Sequence, residues 1–461
     1  MTKTHYGTGS EHRQRTEPSA IVLCNVVTGL ATARGIAAGG IDVHAAVFKP
    51  RDPIRYSRCC RKIDFSTCRG EEALIERLIA VAQGMAAPPI VIATSDKHAL
   101  LMAKHRERLS RHCRLWNTTQ ADLESIVNKH QLYALAERAG VKTVPAIVEP
   151  DLEQLSQWSR ENPAPYFLKP FYEGIAVCQL KQKNLILDSR QALLDYVAGH
   201  GAAGLVIQRL IRGGDGYIFD SYGLCDRRGA IVTIASHRRW RQNPPDTGTT
   251  SYGEIPASPE GRDESALFDN TRRLLSAIHY HGIFGIEWLQ DRATGELYII
   301  DFNARPFSSI GHLTACGLNL PLLAYRELAG DDLAEVDPQP RLRHRFWIDL
   351  MSDLWWAQSK REAADLQWAP WVGTILRARE HAYWSWRDPG PGAYQLWSIG
   401  QMLLSSLRKK LHGNDIDAAG GGGPAGAATA RDGDPLSPET SRPGSAPPET
   451  RENRPTRRWA G

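Results

Sequence analysis

The sequence predicts a mixed α/β (α+β) protein of several domains. Short apolar runs typical of buried strands alternate with longer segments of helical periodicity over most of the chain. At 461 residues the chain is longer than one hydrophobic core usually supports. Its 42% hydrophobic and 23% charged residues are typical of a globular protein. We therefore expect two or three domains flanked by extensions.

The N-terminal part is predicted to begin with a βαβ unit. IVLCNVV indicates a buried strand, TGLATARGIAAGG a turn and a helix, and IDVHAAVF a second strand. EEALIERLIAVAQGM, PPIVIATSD and HALLMAKHRERLSRH then indicate a helix, a strand and a helix. Gly29 is alone in the predicted tight turn, so the glycine fingerprint of a dinucleotide site is absent and no nicotinamide or flavin is expected.

The central part continues the alternation of helices and strands. IVNKHQLYALAERAGVKTVP indicates a helix with Asn128 as its N-cap. YFLKP, at 166–170, ends a strand with a lysine, and GLVIQRLI, at 204–211, is an apolar strand. A helix that starts near Glu264 leads into the next strand.

The segment GIEWLQDRATGELYIIDFNARP, residues 285–306, predicts a β-hairpin. With its turn centred on Thr294, Glu287 lies opposite Asp301, and Asn303 shares their face. Facing carboxylates repel each other unless a cation lies between them, and Mg²⁺ prefers such oxygen ligands. The hairpin therefore indicates a cation site. A surface hairpin with solvated acids is the alternative interpretation.

Arg305 follows two residues after Asn303 on the same face. A guanidinium can bind both oxygens of a phosphate or a carboxylate at once. The amide and the guanidinium together favour the cation site over the solvated hairpin.

This E…D-x-N-x-R spacing resembles the metal-binding end of the ATP-grasp superfamily. The resemblance implies that Glu287, Asp301 and Asn303 hold Mg²⁺, with Mn²⁺ as an alternative ion, against the phosphates of ATP. It covers residues 20–335 and is strongest over 128–306, because further family marks precede the hairpin in the same order.

Two lysines are the first of these marks. Lys129 matches the family's lysine at a helix start, where this chain has Asn128 in place of the usual Asp. Lys169 matches the strand-end lysine that contacts the α and β phosphates. The loop after Lys169 has Gly174 alone where many relatives are glycine-rich, and Lys181 and Lys183 could supply charge in place of backbone donors. Solvated lysines are the alternative interpretation.

The resemblance also assigns the adenine and acceptor sites. Gln208, Arg209 and Ile211 would meet adenine and ribose, although a plain core strand is compatible with the same residues. Arg305 would bind the carboxylate that is phosphorylated, and with Lys169 it would neutralise charge during transfer. Arg239 and Arg241 would face the acceptor from a polar, turn-rich loop that could act as a lid or be a plain surface loop.

The resemblance implies a Rossmann-like pre-ATP-grasp domain followed by the ATP-grasp fold. The loops at the carboxyl edge of the first domain are expected to face the site; they contain Thr28, Gly29, Ser57, Arg58, Ser95 and Asp96. The predicted segments are a disordered N-terminus (1–17), the Rossmann-like domain (18–125), the ATP-grasp domain (126–335, split near 203), a Trp-rich helical C-terminal extension (336–412) and a disordered tail (413–461).

Eight of the 13 tryptophans lie between Trp347 and Trp397, on segments of helical periodicity. The last helix, AYQLWSIGQMLLSSLRKKL, is amphipathic and basic at its end. Burial of this stripe against the rest of the protein is the favoured interpretation. Contact of residues 390–412 with a membrane surface or a partner protein is the alternative.

The charge and cysteine content of the chain indicate which partners and which cellular compartment to expect. The 56 basic and 51 acidic residues give a net charge of +5, and no repeated basic motif predicts nucleic-acid binding. The eight cysteines form no C-x-x-C pair, which is typical of reduced thiols. The polar N-terminus and the lack of a run of about 18 apolar residues predict a cytoplasmic protein without a transmembrane segment. A homo-oligomer is expected.

The function implied by the resemblance, which extends to bacterial ATP-dependent carboligases, is carboxylate activation. Mg·ATP would phosphorylate a small-molecule carboxylate to an acyl phosphate, and an amine would displace the phosphate. Three alternatives remain open: an ATP-grasp kinase or carboxylase that acts on a hydroxyl or bicarbonate, a non-catalytic ATP-binding module, and a membrane-surface assembly protein.

Overall fold

The computed structural model describes most of the chain, in five stretches. These are residues 17–170, 185–211, 213–246, 248–257 and 264–413. The predictions for the N-terminal lead, for residues 171–184 with Gly174, Lys181 and Lys183, and for the tail beyond residue 413 lie outside the described residues.

The N-terminal part forms a four-stranded parallel sheet in the order β3-β2-β1-β4. All side chains of two of its strands, Ala20–Leu23 and Ile90–Ala93, are buried, as expected for a sheet with helices on both faces. Its elements are β1 (Ala20–Leu23), α1 (Val26–Ala37), β2 (Val43–Val47), a 3₁₀ helix (Pro53–Tyr56), β3 (Arg61–Asp64), α2 (Gly70–Gln83), β4 (Ile90–Ala93), α3 (Asp96–Lys104) and α4 (Arg106–Leu109).

The prediction that Gly29 lies in the first turn was wrong. Helix α1 already begins at Val26, so Gly29 lies inside it. A Cβ atom at this position would lie 2.7 Å from Cα of Cys24. Glycine therefore allows the helix to pack closely on the end of β1, a role in packing and not in turn geometry.

A smaller antiparallel sheet follows, in the order β5-β8-β6-β7. It has its own apolar core, which includes Tyr166, Leu168 and Ile207. Helices α5 and α6 connect it to the first sheet. The elements are α5 (Gln120–Val127), α6 (Lys129–Arg138), β5 (Ala146–Val148), α7 (Leu152–Glu161), β6 (Tyr166–Pro170), β7 (Leu185–Leu187), α8 (Arg190–His200) and β8 (Leu205–Arg209).

The largest sheet has seven strands in the order β13-β12-β9-β10-β11-β14-β15. All neighbours are antiparallel except β14 and β15. The elements from here to the end are β9 (Ile218–Cys225), β10 (Ile231–Asn243), β11 (Thr249–Ile255), α9 (Ser265–Ser276), β12 (Gly282–Gln290), β13 (Leu297–Asn303), α10 (Ile310–Cys316), α11 (Leu320–Ala329), β14 (Arg345–Ile348), α12 (Leu350–Glu362), α13 (Trp368–Arg377), β15 (Glu380–His381) and α14 (Gly390–Gly413).

The C-terminal segment contacts both the seven-stranded sheet and the N-terminal part of the chain. Strand β14 pairs with β11, an addition that helical periodicity in this region did not predict. Asp388 accepts hydrogen bonds from Ser57 Oγ at 2.6 Å and the Arg58 backbone N–H at 2.9 Å, and it pairs with Arg34 Nε at 2.8 Å. Ser57 and Arg58, which were expected to face the site, therefore bind the C-terminal segment instead.

The tryptophan-rich region is only partly buried. Trp347 is buried, whereas Trp355, Trp368, Trp386 and Trp397 are exposed. In the last helix, whose burial against the protein was the favoured interpretation, Ile399 is buried but Leu396, Trp397 and Leu404 are exposed, so that interpretation holds only in part. No helix in the described ranges is long and apolar enough to span a membrane.

Candidate active site

A row of polar side chains crosses four neighbouring strands of the seven-stranded sheet. Asp301 pairs with Glu287, Glu287 with Asp220, and Asp220 with His237. Directly opposite residues in a sheet share a face. The hairpin prediction is thus confirmed, including its pairing of Glu287 with Asp301, and the row extends two strands further than the sequence indicated.

Asp301 is held by Lys129 from the start of α6. Lys129 Nζ lies 3.3 Å from Asp301 Oδ2. Asn128 accepts hydrogen bonds from the backbone N–H groups of His130 and Gln131, which caps the helix as predicted. Burial alone would raise the pKa of Asp301, but the charges of Lys129 and Lys169 outweigh burial and lower it.

Tyr133 joins the two sheets at the site. Its hydroxyl accepts hydrogen bonds from Lys169 Nζ at 3.1 Å and Gln208 Nε2 at 3.2 Å. It also donates to the backbone carbonyl of Ile300 at 3.3 Å. Burial lowers the pKa of Lys169, and nearby Lys129 lowers it as well, although Tyr133 acts in the opposite direction.

Glu287 is the centre of a second set of contacts. Asn303 Nδ2 donates to Glu287 Oε1 at 2.9 Å, and Arg239 Nη2 lies 2.6 Å from the same oxygen. Arg239 also binds both oxygens of the fully buried Asp220, at 2.5 and 2.9 Å. Burial would raise the pKa of Asp220, yet Arg239 and His237 lower it to about 2.

Arg305 lies at the end of the hairpin, where it meets the N-terminal sheet. Its Nε and Nη2 atoms bind the two carboxylate oxygens of Asp96, at 3.0 and 2.8 Å. Asp96 is the first residue of α3, directly after the carboxyl end of β4. Asp96 was expected to face the site from the first domain, and the ion pair is consistent with that expectation.

Arg241 does not join this cluster. Its guanidinium binds Asp353 of α12 at 2.7 and 3.0 Å and lies over the rings of Tyr252 and Trp356. In an unbroken strand, two residues that are two positions apart, such as Arg239 and Arg241, would share a face. A register shift in β10 between them removes this relationship. Arg241 therefore connects the sheet to the C-terminal helices and is turned away from the Glu287–Asp301 pair; the catalytic role stays a prediction that these contacts do not support.

The three residues that the resemblance assigns to adenine and ribose differ in their exposure. Gln208 is buried and turned towards Tyr133, and Ile211 is buried. Arg209 is more exposed, with Nη2 4.0 Å from Asp291 Oδ2. The structure thus brings together eight of the predicted site residues: Lys129, Lys169, Gln208, Arg239, Glu287, Asp301, Asn303 and Arg305.

Charges in the cluster balance. Within the described ranges it contains four basic side chains, Lys129, Lys169, Arg239 and Arg305, and four carboxylates, Asp96, Asp220, Glu287 and Asp301. No three His, Cys, Asp or Glu side chains in the described part of the chain are grouped to hold a metal by themselves.

The donor set nevertheless fits a hard cation that is shared with a phosphate. Glu287 and Asp301 are cross-strand neighbours, and the side-chain amide of Asn303 lies on Glu287. Mg²⁺ usually takes one or two carboxylates and completes its shell with water and phosphate oxygens. Two carboxylates and one amide oxygen agree with that pattern.

Sequence reasoning missed Tyr133, Asp220 and His237. Tyr133 lies four residues after Lys129 in α6, so helical spacing could have placed both on one face. Asp220 lies in the run IFDSYGLC, where an acid inside an apolar strand is a signal of a paired buried charge. His237 has no local signal in the sequence, because it becomes a neighbour of Asp220 only through the pairing of β9 with β10.

Comparison with known proteins rests on structure alone. No family model and no curated protein matches the chain. N5-carboxyaminoimidazole synthetase from Staphylococcus aureus superposes with a TM-score of 0.56 at 13% identity, covering 72% of this chain and 82% of that one.

Two further solved structures share the architecture. The biotin carboxylase domain of Hydrogenobacter thermophilus 2-oxoglutarate carboxylase, solved with MgADP and bicarbonate, gives 0.55 at 17% identity and covers 71% and 73% of the two chains. L-amino acid ligase from Bacillus licheniformis gives 0.51 at 18% identity and covers 72% and 80%. All three are ATP-grasp enzymes. The chain therefore has the ATP-grasp fold.

Proposed function

We propose that the protein is an ADP-forming ligase that activates a small-molecule carboxylate with Mg·ATP and joins it to an amine. The γ-phosphoryl group of ATP passes to a carboxylate oxygen of the substrate, and ADP leaves. The amine then attacks the acyl carbon, phosphate leaves, and the amine nitrogen loses a proton. The observation that carries the proposal is the pairing of Glu287 with Asp301 between Lys129 and Arg239.

Charge balance supports a metal-bound nucleotide. ATP carries about four negative charges, and transfer of a phosphoryl group depends on positioning and charge neutralisation. Because, among the described residues of the cluster, the carboxylates already offset the basic side chains, free ATP would bring unbalanced charge to this part of the site. Mg²⁺ bound to Glu287, Asp301 and Asn303 would polarise the phosphates and supply the missing charge.

The basic residues would bind different parts of the substrates, according to where they lie in the cluster. Lys129 and Lys169 approach from α6 and β6, on the side of the small sheet, where they would bind phosphate oxygens. Gln208, beside Lys169 through Tyr133, would mark the adenine side. Arg239 keeps Asp220 as a partner when Glu287 turns to a cation, so its remaining donors could hold the acceptor carboxylate.

Arg305 has a different place in the proposal. Asp96 neutralises it and ties the first domain to the end of the hairpin. If the ion pair opens, Arg305 would bind the acceptor carboxylate together with Arg239, and Asp96 would be left to meet the incoming amine. The solved relatives with this fold include an amino acid ligase and carboxylases, so an acceptor carboxylate or bicarbonate is chemically consistent with the architecture.

The first experiment measures ADP release with Mg²⁺ or Mn²⁺ against pools of amino acids, sugar acids and amines. Asp301→Ala should abolish release and leave the fold intact, because it removes a metal ligand. Glu296→Ala, in the exposed turn of the same hairpin, is the matched control and should retain full activity. Unchanged ADP release in Asp301→Ala would refute the proposal.

A second measurement separates the reaction classes. Hydroxylamine traps an acyl phosphate as a hydroxamate but does not react with a phosphorylated hydroxyl. Hydroxamate formed with a carboxylate pool and Mg·ATP supports the ligase. ADP release without hydroxamate would favour a kinase, and Mg·ATP binding without ADP release under any acceptor would favour a non-catalytic module.

A further inference from the structure

Exposed apolar side chains are concentrated near the C-terminus. Eleven large hydrophobic side chains are exposed in the described part of the chain, and eight of them lie between residues 355 and 404. Single exposed hydrophobics are normal on a protein surface, whereas a concentration of them marks an interaction surface. The eight are Trp355, Trp368, Val372, Leu376, Trp386, Leu396, Trp397 and Leu404.

Helix α14 presents three of them on one side. Leu396, Trp397 and Leu404, here called the α14 stripe, are 52%, 59% and 50% exposed. Positions seven or eight apart lie two turns apart on the same helix face. Two other side chains hold the helix to the protein: Ile399 is buried, and Tyr394, whose ring also packs against that of Trp397, stacks on Tyr56. Helix α14 therefore packs against the rest of the protein, but the α14 stripe remains exposed.

The sequence around the stripe is basic. Residues 368–413 contain six Arg and Lys residues and two Asp and Glu residues. Both acids are already paired within the protein, Glu380 with Arg345 and Asp388 with Arg34. Three of the basic residues, Arg408–Lys410, are consecutive and begin four positions after Leu404 in the sequence. An anionic surface is therefore the complementary occupant.

The tail of the chain is a poor alternative occupant. Residues 414–461 contain only Ile416, Leu436 and Trp459 as large apolar residues, among Pro, Gly, Ser and charged residues. Three isolated side chains over 48 residues cannot cover a contiguous helical stripe, because ordering the intervening chain costs more than their burial returns.

We propose that the α14 stripe and its basic end dock the protein on an anionic lipid surface. Indole rings favour the membrane–water interface, an apolar helix face enters the headgroup boundary, and Lys and Arg are attracted to anionic lipid. The helix lies on the surface and does not cross it. This docking is independent of the ATP site and can hold whether or not the ligase proposal does.

The test is sedimentation of the full chain with vesicles. The wild-type protein should bind vesicles that contain phosphatidylglycerol, bind phosphatidylcholine vesicles much more weakly, and release as salt rises. Neutralising Arg408, Lys409 and Lys410 to Gln should weaken binding about a hundredfold, because each basic group near an anionic membrane contributes about one kcal/mol. Trp397→Gln with Leu404→Gln should weaken binding to both kinds of vesicle.

Helix α13 supplies the matched control. Trp368, Val372 and Leu376 also form an exposed stripe, at four-residue spacing, but it is followed by two separated arginines, Arg377 and Arg379, beside Glu380 and not by a run of three basic residues. Trp368→Gln with Leu376→Gln should leave vesicle binding unchanged. An equal loss in this variant would show unspecific adsorption and overturn the proposal.

Two other results would overturn it. One is wild-type protein that stays in the supernatant with both kinds of vesicle. The other is a dimer, seen by analytical ultracentrifugation, that the α14 variants convert to monomer without any change in lipid binding; the stripe would then be covered by a second copy. Circular dichroism and thermal midpoints of all variants verify that the exposed substitutions leave the fold unchanged.

Discussion

Arg239 reaches Glu287 from two strands away, with 2.6 Å between Nη2 and Oε1. The guanidinium crosses over Asp220, which it binds through both carboxylate oxygens, so one side chain connects β10, β9 and β12. The sequence predicted Arg239 in a polar loop that faces the acceptor. The structure makes it part of a strand and a neighbour of the proposed cation site.

The first prediction concerns the stability of this connection. Arg239→Met leaves the buried Asp220 with His237 but without its arginine, and breaking a buried pair in this way costs about 3 to 5 kcal/mol. Urea denaturation measures the loss. Arg272→Met, which breaks an exposed pair with Asp269, is the control and should cost less than about 1 kcal/mol.

Asp220→Asn with Arg239→Met should recover part of the lost stability, since neither charge is then buried alone. If the double variant is as unstable as the sum of the two single variants, the pair is not coupled and the assignment of Arg239 as its partner is wrong.

The second prediction is acid sensitivity. Because the pKa of Asp220 is lowered to about 2, against about 3.9 in an unfolded chain, its ionised form favours the folded state. That contribution is complete above pH 4 and is lost as the pH falls towards 2. The free energy of unfolding should therefore fall less steeply between pH 4 and pH 2 in Asp220→Asn with Arg239→Met than in the wild type. Equal slopes would contradict the lowered pKa.

The third prediction concerns ATP binding at high pH. Burial lowers the pKa of Lys169 from its ordinary value of 10.5, and only the protonated amine attracts a phosphate. The KM for ATP should therefore begin to rise at a lower pH than an exposed lysine would produce. Lys169→Arg keeps its charge and should flatten this rise, even if its KM at neutral pH is higher. A rise that persists in Lys169→Arg would point to another titrating group.

Tyr133→Phe is the fourth prediction. The variant removes the acceptor shared by Lys169 and Gln208, at a cost of about 1 kcal/mol in stability. Because the hydroxyl also favours the protonated lysine, the alkaline rise in KM for ATP should move to still lower pH. Calorimetry of the fold and the pH profile of KM test the two effects separately. A pH profile identical to the wild type would remove Tyr133 from the phosphate site.

The hairpin could be predicted because its signals are local. Strands of β-branched and aromatic residues around a polar turn fix which residues face each other, and Glu287 and Asp301 pair as expected. The cap of α6 at Asn128 and the strand that carries Lys169 are local for the same reason.

The remainder of the cluster depends on contacts between distant parts of the chain. Asp220 and His237 become neighbours of Glu287 only through the order of strands in the sheet, which no local pattern specifies. The shift that separates Arg241 from Arg239 is a bulge, and the partner Asp353 comes from a helix more than 100 residues away. Likewise, helical periodicity in the tryptophan-rich region could not show which face of α14 remains exposed.

The row from Asp301 to His237 takes each member from a different strand, so its spacing is set by the backbone ladder and not by loops. Insertion or deletion of a single residue inside any of these strands would turn one member to the opposite face and break the row. The connecting loops and the C-terminal helices carry no such constraint. For the proposed ligase, a new acceptor specificity could therefore be engineered by exchanging whole loops around an unchanged sheet.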